Sequence, residues 1–376
     1  MKNILILHGS NDLYGASKVL LNVVNCLNPN QYKVHVILPF KGNLDNKLID
    51  KVHKLSYFKL GVFRKKYLNF FGLINLSYNI VKSTVQIIKY IKKNEIDLVY
   101  TNTSVIWSGV LASYISNRKS IVHIHEIPFG NNLYNIVSGF FFKCFVDSII
   151  VVSKKVRDHW VKYCDLNKIK IIYNYSEFEN EYSEKNDNKK SEYIISNISR
   201  IVPQKGIEYF IEISKEMLKL DNRFKFNIIG DTLTNSENYL KKLKTIIKNS
   251  DLENKIFFKG FIRNIKVQIL ESDLILQTPV FPDSLPTVLI DALTLSKTVV
   301  STDEGGCAEI LNYGKNGILI PKNNASLCAE IINQYSRDKN LQEKHLKAAK
   351  IFLNQNFSRL EFNKRILEEL NRVNND

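Results

Sequence analysis

The sequence is poor in the residues and spacings that mark metal-binding and disulfide-linked proteins. Its 376 residues include only five cysteines, which lie far apart, at Cys26, Cys144, Cys164, Cys307 and Cys328. Zinc and thioredoxin-like sites need closely spaced cysteines, and neither these nor an Asp-x-Asp pair is present. We therefore expect reduced, mostly buried thiols and a site that uses no metal ion and no cofactor.

Long apolar runs are also missing. The first ten residues, MKNILILHGS, contain four consecutive apolar residues before His8, fewer than the central region of a signal peptide requires. The most apolar later stretch, residues 133–152, is interrupted by Lys143 and Asp147, whose charges are costly in a bilayer. We expect a cytoplasmic protein without a transmembrane segment.

One segment lacks acidic residues altogether. Residues 51–94 contain no Asp or Glu, yet they carry ten lysines and arginines interleaved with aromatic residues. The formal net charge of the chain is +16, which favours anionic partners. The segment is either the solvated face of a helix or a surface that docks on anionic lipid. The pI of about 9.4 alone would fit a nucleic-acid binder, but no recognition motif is present, and nucleic acid is not an expected partner.

The organisation along the chain is that of parallel strands joined by helices, because short apolar runs alternate with longer amphipathic ones. In the first half the predicted strands are residues 3–7, 33–38, 98–101, 120–125, 148–152 and 169–172. In the second half they are residues 193–198, 224–229, 256–259, 274–277, 298–301 and 317–320. We predict two doubly wound α/β domains, at 1–175 and 193–355, with a polar linker at 176–192 and a C-terminal helix within 356–376.

Ligands of open α/β sheets bind beyond the carboxyl ends of the strands, so polar residues and glycines directly after predicted strands are candidates. Four such places carry Gly15 at a helix start, His125 beside Glu126, Arg200 with Lys205 around a Pro-containing turn, and Gly230. Helix starts and fixed cations suit a phosphate or sugar oxygen, and a histidine can hold a proton near neutral pH. The alternatives are a plain turn, a structural histidine and solvated surface charges.

A fifth place follows the predicted strand at 274–277 and reads VFPDSLPTVLID. Pro286 fits the first turn of a helix, which puts Asp283 just before that helix and Asp291 inside it. Eight residues of helix separate the two by about 12 Å and by roughly 80° around the axis, too far to flank one scissile bond. We expect them to grip two ends of an elongated ligand whose negative middle faces the helix start, as in a nucleotide diphosphate sugar.

The segment DSLPTVLIDALTLSKTVVSTDEGGCAEIL resembles the donor-site signature of glycosyltransferase family 4, in which two acidic residues separated by seven others precede a Gly-Gly-x-x-Glu segment. YGASKVLLNVV, HIHEI, VVSKKVRDHW and SRIVPQKG are similar to further motifs of that family, in the same order. The resemblance implies the GT-B fold, in which two Rossmann-like domains face a central cleft and the C-terminal helix crosses back to the first domain.

By that resemblance, Arg200 and Lys205 bind the donor diphosphate, Asp283 faces the donor sugar and Asp291 holds the ribose hydroxyls. Gly15 contacts the donor phosphate and His125 lies near the transferred sugar. Further donor contacts are assigned to Leu285, Pro286, Thr287, Val288 and Gly230. The family usually has Glu at both acidic positions, whereas this chain has Asp, which is one methylene shorter and so needs a closer helix or longer hydrogen bonds.

The resemblance implies a metal-independent, retaining hexosyltransferase that uses a nucleotide diphosphate sugar, with UDP as the expected nucleotide. The expected acceptor is a hydroxyl of a lipid-linked or polysaccharide molecule, as in surface-polysaccharide synthesis at the cytoplasmic membrane face. The alternative is a nucleotide-sugar-binding protein or epimerase of the same fold that transfers nothing. The donor's base and sugar, the acceptor and the linkage are not encoded in these motifs.

Overall fold

The computed structural model describes residues 1–63, 69–128, 132–179, 192–232 and 237–375. The chain divides into two compact units. The N-terminal unit comprises Met1–Asn174 and Leu360–Asp376, and the C-terminal unit comprises Tyr175–Arg359. Residues 180–191 of the predicted linker, and Arg64, Lys65 and Lys66 of the acid-free segment, lie outside the described residues.

The described part of the N-terminal unit contains a seven-stranded sheet whose paired strands are all parallel, in the order β3-β2-β1-β4-β5-β6-β7. The strands are β1 (Lys2–Leu7), β2 (Tyr32–Leu38), β3 (Lys54–Tyr57), β4 (Leu98–Thr101), β5 (Lys119–Ile124), β6 (Ser148–Val151) and β7 (Ile169–Ile171). The central strands β1, β4 and β5 are buried over most of their length because helices cover both faces of a parallel sheet.

Helices of the N-terminal unit connect these strands. They are α1 (Gly15–Cys26), α2 (Asp45–Leu48), α3 (Phe70–Lys93), α4 (Trp107–Ile115), α5 (Asn132–Phe145) and α6 (Lys154–Trp160). The helix start predicted at Gly15 is confirmed, since α1 begins there, and the helix buries Val19, Leu20 and Val23. The last helix of the chain, α14 (Arg359–Asn375), packs in the same unit, where Glu369 accepts a hydrogen bond from Ser148.

In the C-terminal unit, the described residues form a six-stranded parallel sheet in the order β10-β9-β8-β11-β12-β13. The strands are β8 (Tyr193–Ile198), β9 (Phe224–Ile229), β10 (Ile256–Gly260), β11 (Leu274–Gln277), β12 (Thr298–Thr302) and β13 (Ile318–Ile320). The helices are α7 (Ile207–Leu220), α8 (Glu237–Lys248), α9 (Ile265–Glu271), α10 (Thr287–Thr294), α11 (Cys307–Ile310), α12 (Ala325–Arg337) and α13 (Lys339–Asn356). Phe210, Phe224 and Phe226 are fully buried against this sheet.

The prediction of two doubly wound α/β domains is confirmed, and each of the twelve predicted strands is present within two residues of its expected limits. One strand, β3, was not predicted. It lies in the acid-free segment, which is therefore not a helix face over its whole length. Its four residues, Lys54–Tyr57, are exposed or half-buried at the edge of the sheet, so they lack the apolar run that identified the other strands.

Candidate functional site

The C-terminal sheet has a topological switch point between β8 and β11. From β8 the chain proceeds to β9 and β10 on one side, and β11 then begins the other side. Ligands of such sheets bind beyond the strand ends at this point, where the two following loops diverge. The loop after β8 carries Arg200 and Lys205, and the loop after β11 carries Asp283. The structure therefore places three predicted residues on the two loops that flank the switch point.

These two loops are bonded to each other by an ion pair. Lys205 donates from Nζ to Oδ2 of Asp283, and the two side chains are only 20% and 16% exposed. The backbone N–H of Val280 also donates to the carbonyl oxygen of Gln204 at 3.2 Å. In such a partly buried pair each charge depends on the other, because removing one partner leaves the second desolvated and uncompensated. An arriving diphosphate would offer the Lys205 ammonium a second anion beside the Asp283 carboxylate.

The two consecutive glycines after β12 allow close packing against the Asp283 loop. A Cβ atom on Gly305 would lie 2.0 Å from the carbonyl oxygen of Asp283, and one on Gly306 would lie 2.5 Å from that of Ser284. Gly305 also has φ of +65°, and the N–H of Gly306 donates to Asp283 at 2.7 Å. The Gly-Gly pair is thus explained by contact with the loop that carries Asp283.

Asp291 lies on α10 and is buried, with 3% of its surface exposed. Its Oδ1 accepts a hydrogen bond of 2.6 Å from Oγ of Ser176, a residue 115 positions earlier in the chain. Because a buried carboxylate needs hydrogen-bond donors to remain charged, Ser176 helps to fix its orientation. Ser176 was not identified from the sequence, where it appears only as the first residue of a polar segment.

The start of α10 differs slightly from the prediction. Pro286 is the N-cap residue with extended backbone, rather than a residue of the first turn, and the helix begins at Thr287. Leu285 and Pro286 are buried, whereas Thr287 and Val288 are half-buried at the first turn. No side chain of the described residues caps this helix start, so its terminal N–H groups depend on other partners.

Two other predicted residues of the C-terminal unit have different surroundings. Arg200 is exposed on the loop after β8. Gly230 follows β9 and has φ of +142°. A Cβ atom there would lie 1.9 Å from the carbonyl oxygen of Ser199, so the close approach that needs a glycine is made by the chain's own backbone. The ligand contact expected of Gly230 stays a prediction.

In the N-terminal unit, His125 belongs to a hydrogen-bonded network at the carboxyl edge of the sheet. Nε2 of His125 lies 2.8 Å from Oδ1 of Asn102, and Nδ2 of Asn102 donates to the carbonyl oxygen of Ala16 at 2.9 Å. The same Nδ2 lies 3.1 Å from Nδ1 of His8. Since the Ala16 carbonyl only accepts, it fixes the amide orientation, and both histidines are then neutral tautomers protonated at Nε2.

Burial keeps these histidines neutral. It lowers the pKa of His8 to about 4 and holds the pKa of His125 well below its ordinary value, with the neighbouring His123 and His8 adding to the effect on His125. Burial therefore does not favour the alternative that His125 holds a proton near neutral pH. Nδ1 of His125 is buried without a hydrogen-bond partner among the described residues, which leaves its lone pair available as an acceptor.

Glu126, the neighbour of His125, has a structural role. Its Oε1 accepts hydrogen bonds from the hydroxyl of Thr103 at 2.9 Å and from the N–H of Ser104 at 2.8 Å, and its Oε2 accepts from the N–H of His125. These hydrogen bonds hold the loop after β4 in place, so the Glu126 carboxylate is occupied by the protein itself.

Gly15 is the first residue of α1 and is exposed, with open space where a side chain would stand.

His8 and Asn102 were missed, although the rule that identified His125 also applies to them. They directly follow β1 and β4, as His125 follows β5. Cys307 is buried near the Asp283 loop and is not a reactive thiol. Its burial and, to a smaller extent, the charge of Asp283 raise its pKa to about 12. No three His, Cys, Asp or Glu side chains in the described ranges are grouped so as to hold a metal ion.

Two family models match the chain. The model described as Glycosyltransferase Family 4 matches residues 14–175, and the model described as Glycosyl transferases group 1 matches residues 178–352. The two matches together cover nearly the whole chain and meet at the division between the two units.

Two curated proteins with similar sequences are named as glycosyltransferases. The chain is 26% identical over 190 residues to poly(ribitol-phosphate) alpha-N-acetylglucosaminyltransferase of Staphylococcus aureus, across 50% of this chain and 36% of that protein. It is 24% identical over 184 residues to the putative colanic acid biosynthesis glycosyltransferase WcaL of Salmonella typhimurium, across 47% and 44% of the two chains. The matched region thus spans less than half of either relative.

Solved structures show the same fold. HepE of Anabaena, in complex with UDP and glucose, superposes with a TM-score of 0.83 at 22% identity, covering 99% of this chain and 100% of HepE. This likeness confirms the GT-B fold expected from the sequence. The matching models and relatives are glycosyltransferases, so a nucleotide-sugar-binding protein or epimerase without transferase activity is not favoured.

Proposed function

We propose that this chain is a glycosyltransferase of GT-B fold that transfers a hexosyl group from a nucleotide diphosphate sugar to a hydroxyl group. The observation that carries the proposal is the ion pair of Lys205 with Asp283 at the switch point of the C-terminal sheet. It joins the two loops where nucleotide ligands of such sheets bind, within the segment that matches the group 1 model.

In the proposed donor site, Lys205 and Arg200 bind the diphosphate, Asp283 binds the sugar and Asp291 binds the ribose hydroxyls. The Lys205 ammonium is already held between the loops, so little ordering remains to be done when the phosphates arrive. Backbone groups of residues 285–288, at the start of α10, face the diphosphate in this proposal, where the helix dipole favours negative charge. The donor is proposed to be a UDP-sugar, which the UDP bound by HepE supports.

The proposed reaction retains the anomeric configuration. The bond between the anomeric carbon and the phosphate oxygen breaks, and the acceptor oxygen bonds to that carbon on the same face. The acceptor proton passes to the departing phosphate oxygen. Charge develops on the leaving diphosphate, and Lys205 and Arg200 supply fixed positive charge there, so the proposed step is metal-independent.

The N-terminal unit contributes His125 near the transferred sugar and Gly15 near the donor phosphate in this proposal. The neutral His125 offers the Nδ1 lone pair as an acceptor for a hydroxyl, rather than a cation. The exposed start of α1 at Gly15 leaves room for a phosphate oxygen to approach the backbone.

The proposed acceptor is a lipid-linked or polysaccharide hydroxyl at the cytoplasmic face of the membrane, with peripheral contact to anionic lipid. Two relatives support a glycan acceptor, since one is named for poly(ribitol phosphate) and the other for colanic acid biosynthesis. The net charge of +16 supports an anionic surface as a partner.

A thermal-shift panel of UDP-, GDP-, dTDP- and ADP-sugars tests the donor assignment, because a ligand that binds only the folded state raises its melting temperature. We expect a UDP-sugar to give the largest shift, and EDTA to leave that shift unchanged. Incubation of the bound donor with glycan acceptors, followed by NMR of the product's anomeric proton, tests transfer and retention. A donor that binds but is neither transferred nor hydrolysed would support the binding-protein alternative.

A further inference from the structure

Helix α3 of the N-terminal unit is apolar on two opposite faces. One face is buried in the core by Leu76, Ile87, Tyr90 and Ile91. The other face carries five large apolar side chains at alternating spacings of three and four, which places them on one stripe of the helix. They are Phe71, Ile74, Tyr78, Val81 and Val85, and each exposes between 47% and 81% of its surface. A helix that only covers a sheet would be polar on that side.

Helix α5 repeats the pattern. It buries Tyr134 and Phe142 on one side, while Leu133, Ile136, Val137 and Phe140 expose between 41% and 69% of their surface on the other. Helices α3, α4 and α5 lead successively from β3 to β4, β5 and β6, always in the same direction across the sheet. Right-handed crossovers therefore put all three on one face of the sheet, with α4 packed against both neighbours.

The nine large exposed apolar side chains lie on the two helices that flank α4, and so many on one face of the sheet differ from singly scattered surface residues. We call these nine residues of α3 and α5 the apolar face. Such a face on a folded unit needs a partner, and the charges around it indicate which one. Helix α3 carries Lys82, Lys89, Lys92 and Lys93, helix α5 carries Lys143, and neither helix contains an acidic residue. The Lys82 ammonium lies 5.8 Å from the Tyr78 ring, at the edge of the stripe.

We propose that the apolar face docks on a bilayer that contains anionic lipid. The apolar side chains enter the boundary between headgroups and acyl chains, and the lysines reach the lipid phosphates. This binding is interfacial, and none of the helices in the described ranges is both long and apolar enough to cross a bilayer. The inference rests on the proposed function, because docking on a bilayer would bring the chain to a lipid-linked acceptor.

A second copy of the chain is a poorer partner for this face. Two-fold packing of α3 on its copy would place eight lysines, four from each α3 helix, at one interface to which α3 contributes no acidic residue. Duplex nucleic acid is also disfavoured, because the apolar face is rich in aliphatic side chains, which have nothing to contact on a phosphate backbone.

Flotation of the full chain with phosphatidylcholine vesicles, with and without phosphatidylglycerol, tests the proposal. We expect binding that increases strongly with phosphatidylglycerol. The variant Ile74→Ser/Val81→Ser should weaken the partition constant on the order of tenfold, because two exposed apolar side chains no longer enter the bilayer. The matched control is Ile351→Ser/Val267→Ser, which changes the same residue types at exposed positions of the C-terminal unit and should bind like wild type.

The outcomes that overturn the proposal are distinct. Equal binding of the α3 variant and wild type, or equal binding to both vesicle types, contradicts it. So does a wild-type dimer that ignores vesicles and dissociates in the α3 variant, since a second copy would then cover the face. UDP binding by the α3 variant, measured by thermal shift, should match wild type. Flotation needs no donor, so a failure of the proposed transferase activity would show only in the nucleotide assay.

Discussion

Ser176 donates a hydrogen bond from Oγ to Oδ1 of Asp291 over 2.6 Å, and both side chains are buried within the C-terminal unit. The same Oγ accepts from the N–H of Phe178 at 3.2 Å, so the hydroxyl is itself held in place. Asp291 has a shorter side chain than the Glu usual at this position, and its direction therefore matters more. Ser176 therefore fixes the direction of the Asp291 carboxylate, although it lies far from the loops of the proposed donor site in the sequence.

Replacement of Ser176 by Ala should weaken nucleotide binding. A hydrogen bond to a charged group contributes about 1.5–3 kcal/mol, and its loss leaves the Asp291 carboxylate less well oriented. We expect UDP affinity to fall by about tenfold, measured by calorimetry, with a smaller fall in the free energy of unfolding. Ser326→Ala, at an exposed serine of α12, is the control. UDP affinity unchanged in Ser176→Ala would show that this hydrogen bond does not serve the donor site.

Replacement of Gly305 by Ala should damage the loop that carries Asp283. The matched control is Gly260→Ala, because Gly260 has φ of +69° against +65° for Gly305, but nothing lies within 4 Å of its Cβ position. The backbone penalty of roughly 1–2 kcal/mol is common to both variants. Gly305→Ala should lose about 1–3 kcal/mol more in urea unfolding, because its Cβ overlaps the Asp283 carbonyl. Equal losses in the two variants would contradict the packing argument.

Stability should fall as the pH drops below the ordinary histidine pKa. Burial lowers the pKa of His123 to about 3 and that of His8 to about 4, whereas both take up a proton near pH 6.5 once unfolded. Their stabilising contribution is complete above pH 6.5 and is lost as the pH falls toward the folded values. Each should cost roughly 2 kcal/mol of unfolding free energy between pH 7 and pH 5.

The variant His123→Gln isolates one of these contributions. Urea unfolding of the variant at pH 7 and pH 5 should show a pH-dependent loss that is smaller than in wild type by roughly 2 kcal/mol. His53→Gln, at an exposed histidine, controls for the substitution itself. If His123→Gln and wild type lose the same free energy over this range, His123 is not held neutral by burial.

The parts of the fold that could be predicted from the sequence are those with a local signal. Strands such as Leu98–Thr101 and Leu274–Gln277 lie in the interior of parallel sheets, so each is a short, mostly apolar run between helices. The edge strand β3 has no such run. The Asp283 and Asp291 positions were visible because their spacing is local to one loop and one helix.

Contacts between residues far apart in the chain could not be predicted from local sequence patterns. Ser176 meets Asp291 across 115 positions, and only the folded chain brings Ser199 within 1.9 Å of the Cβ position of Gly230. The histidines show the intermediate case. The position of His125 after a strand predicted its place at the carboxyl edge of the sheet, whereas the hydrogen bonds through Asn102 that join it to His8 depend on the folded chain.

The most direct test of the donor site is calorimetric titration of UDP into wild-type protein and into Lys205→Ala and Asp291→Ala. Wild type should bind one UDP per chain. Lys205→Ala should bind on the order of a hundredfold more weakly, because a charge-assisted hydrogen bond to phosphate is lost, and Asp291→Ala should also bind weakly, with the folded far-UV spectrum retained. UDP binding of wild-type strength in both variants would contradict the account, since the nucleotide would then lie elsewhere.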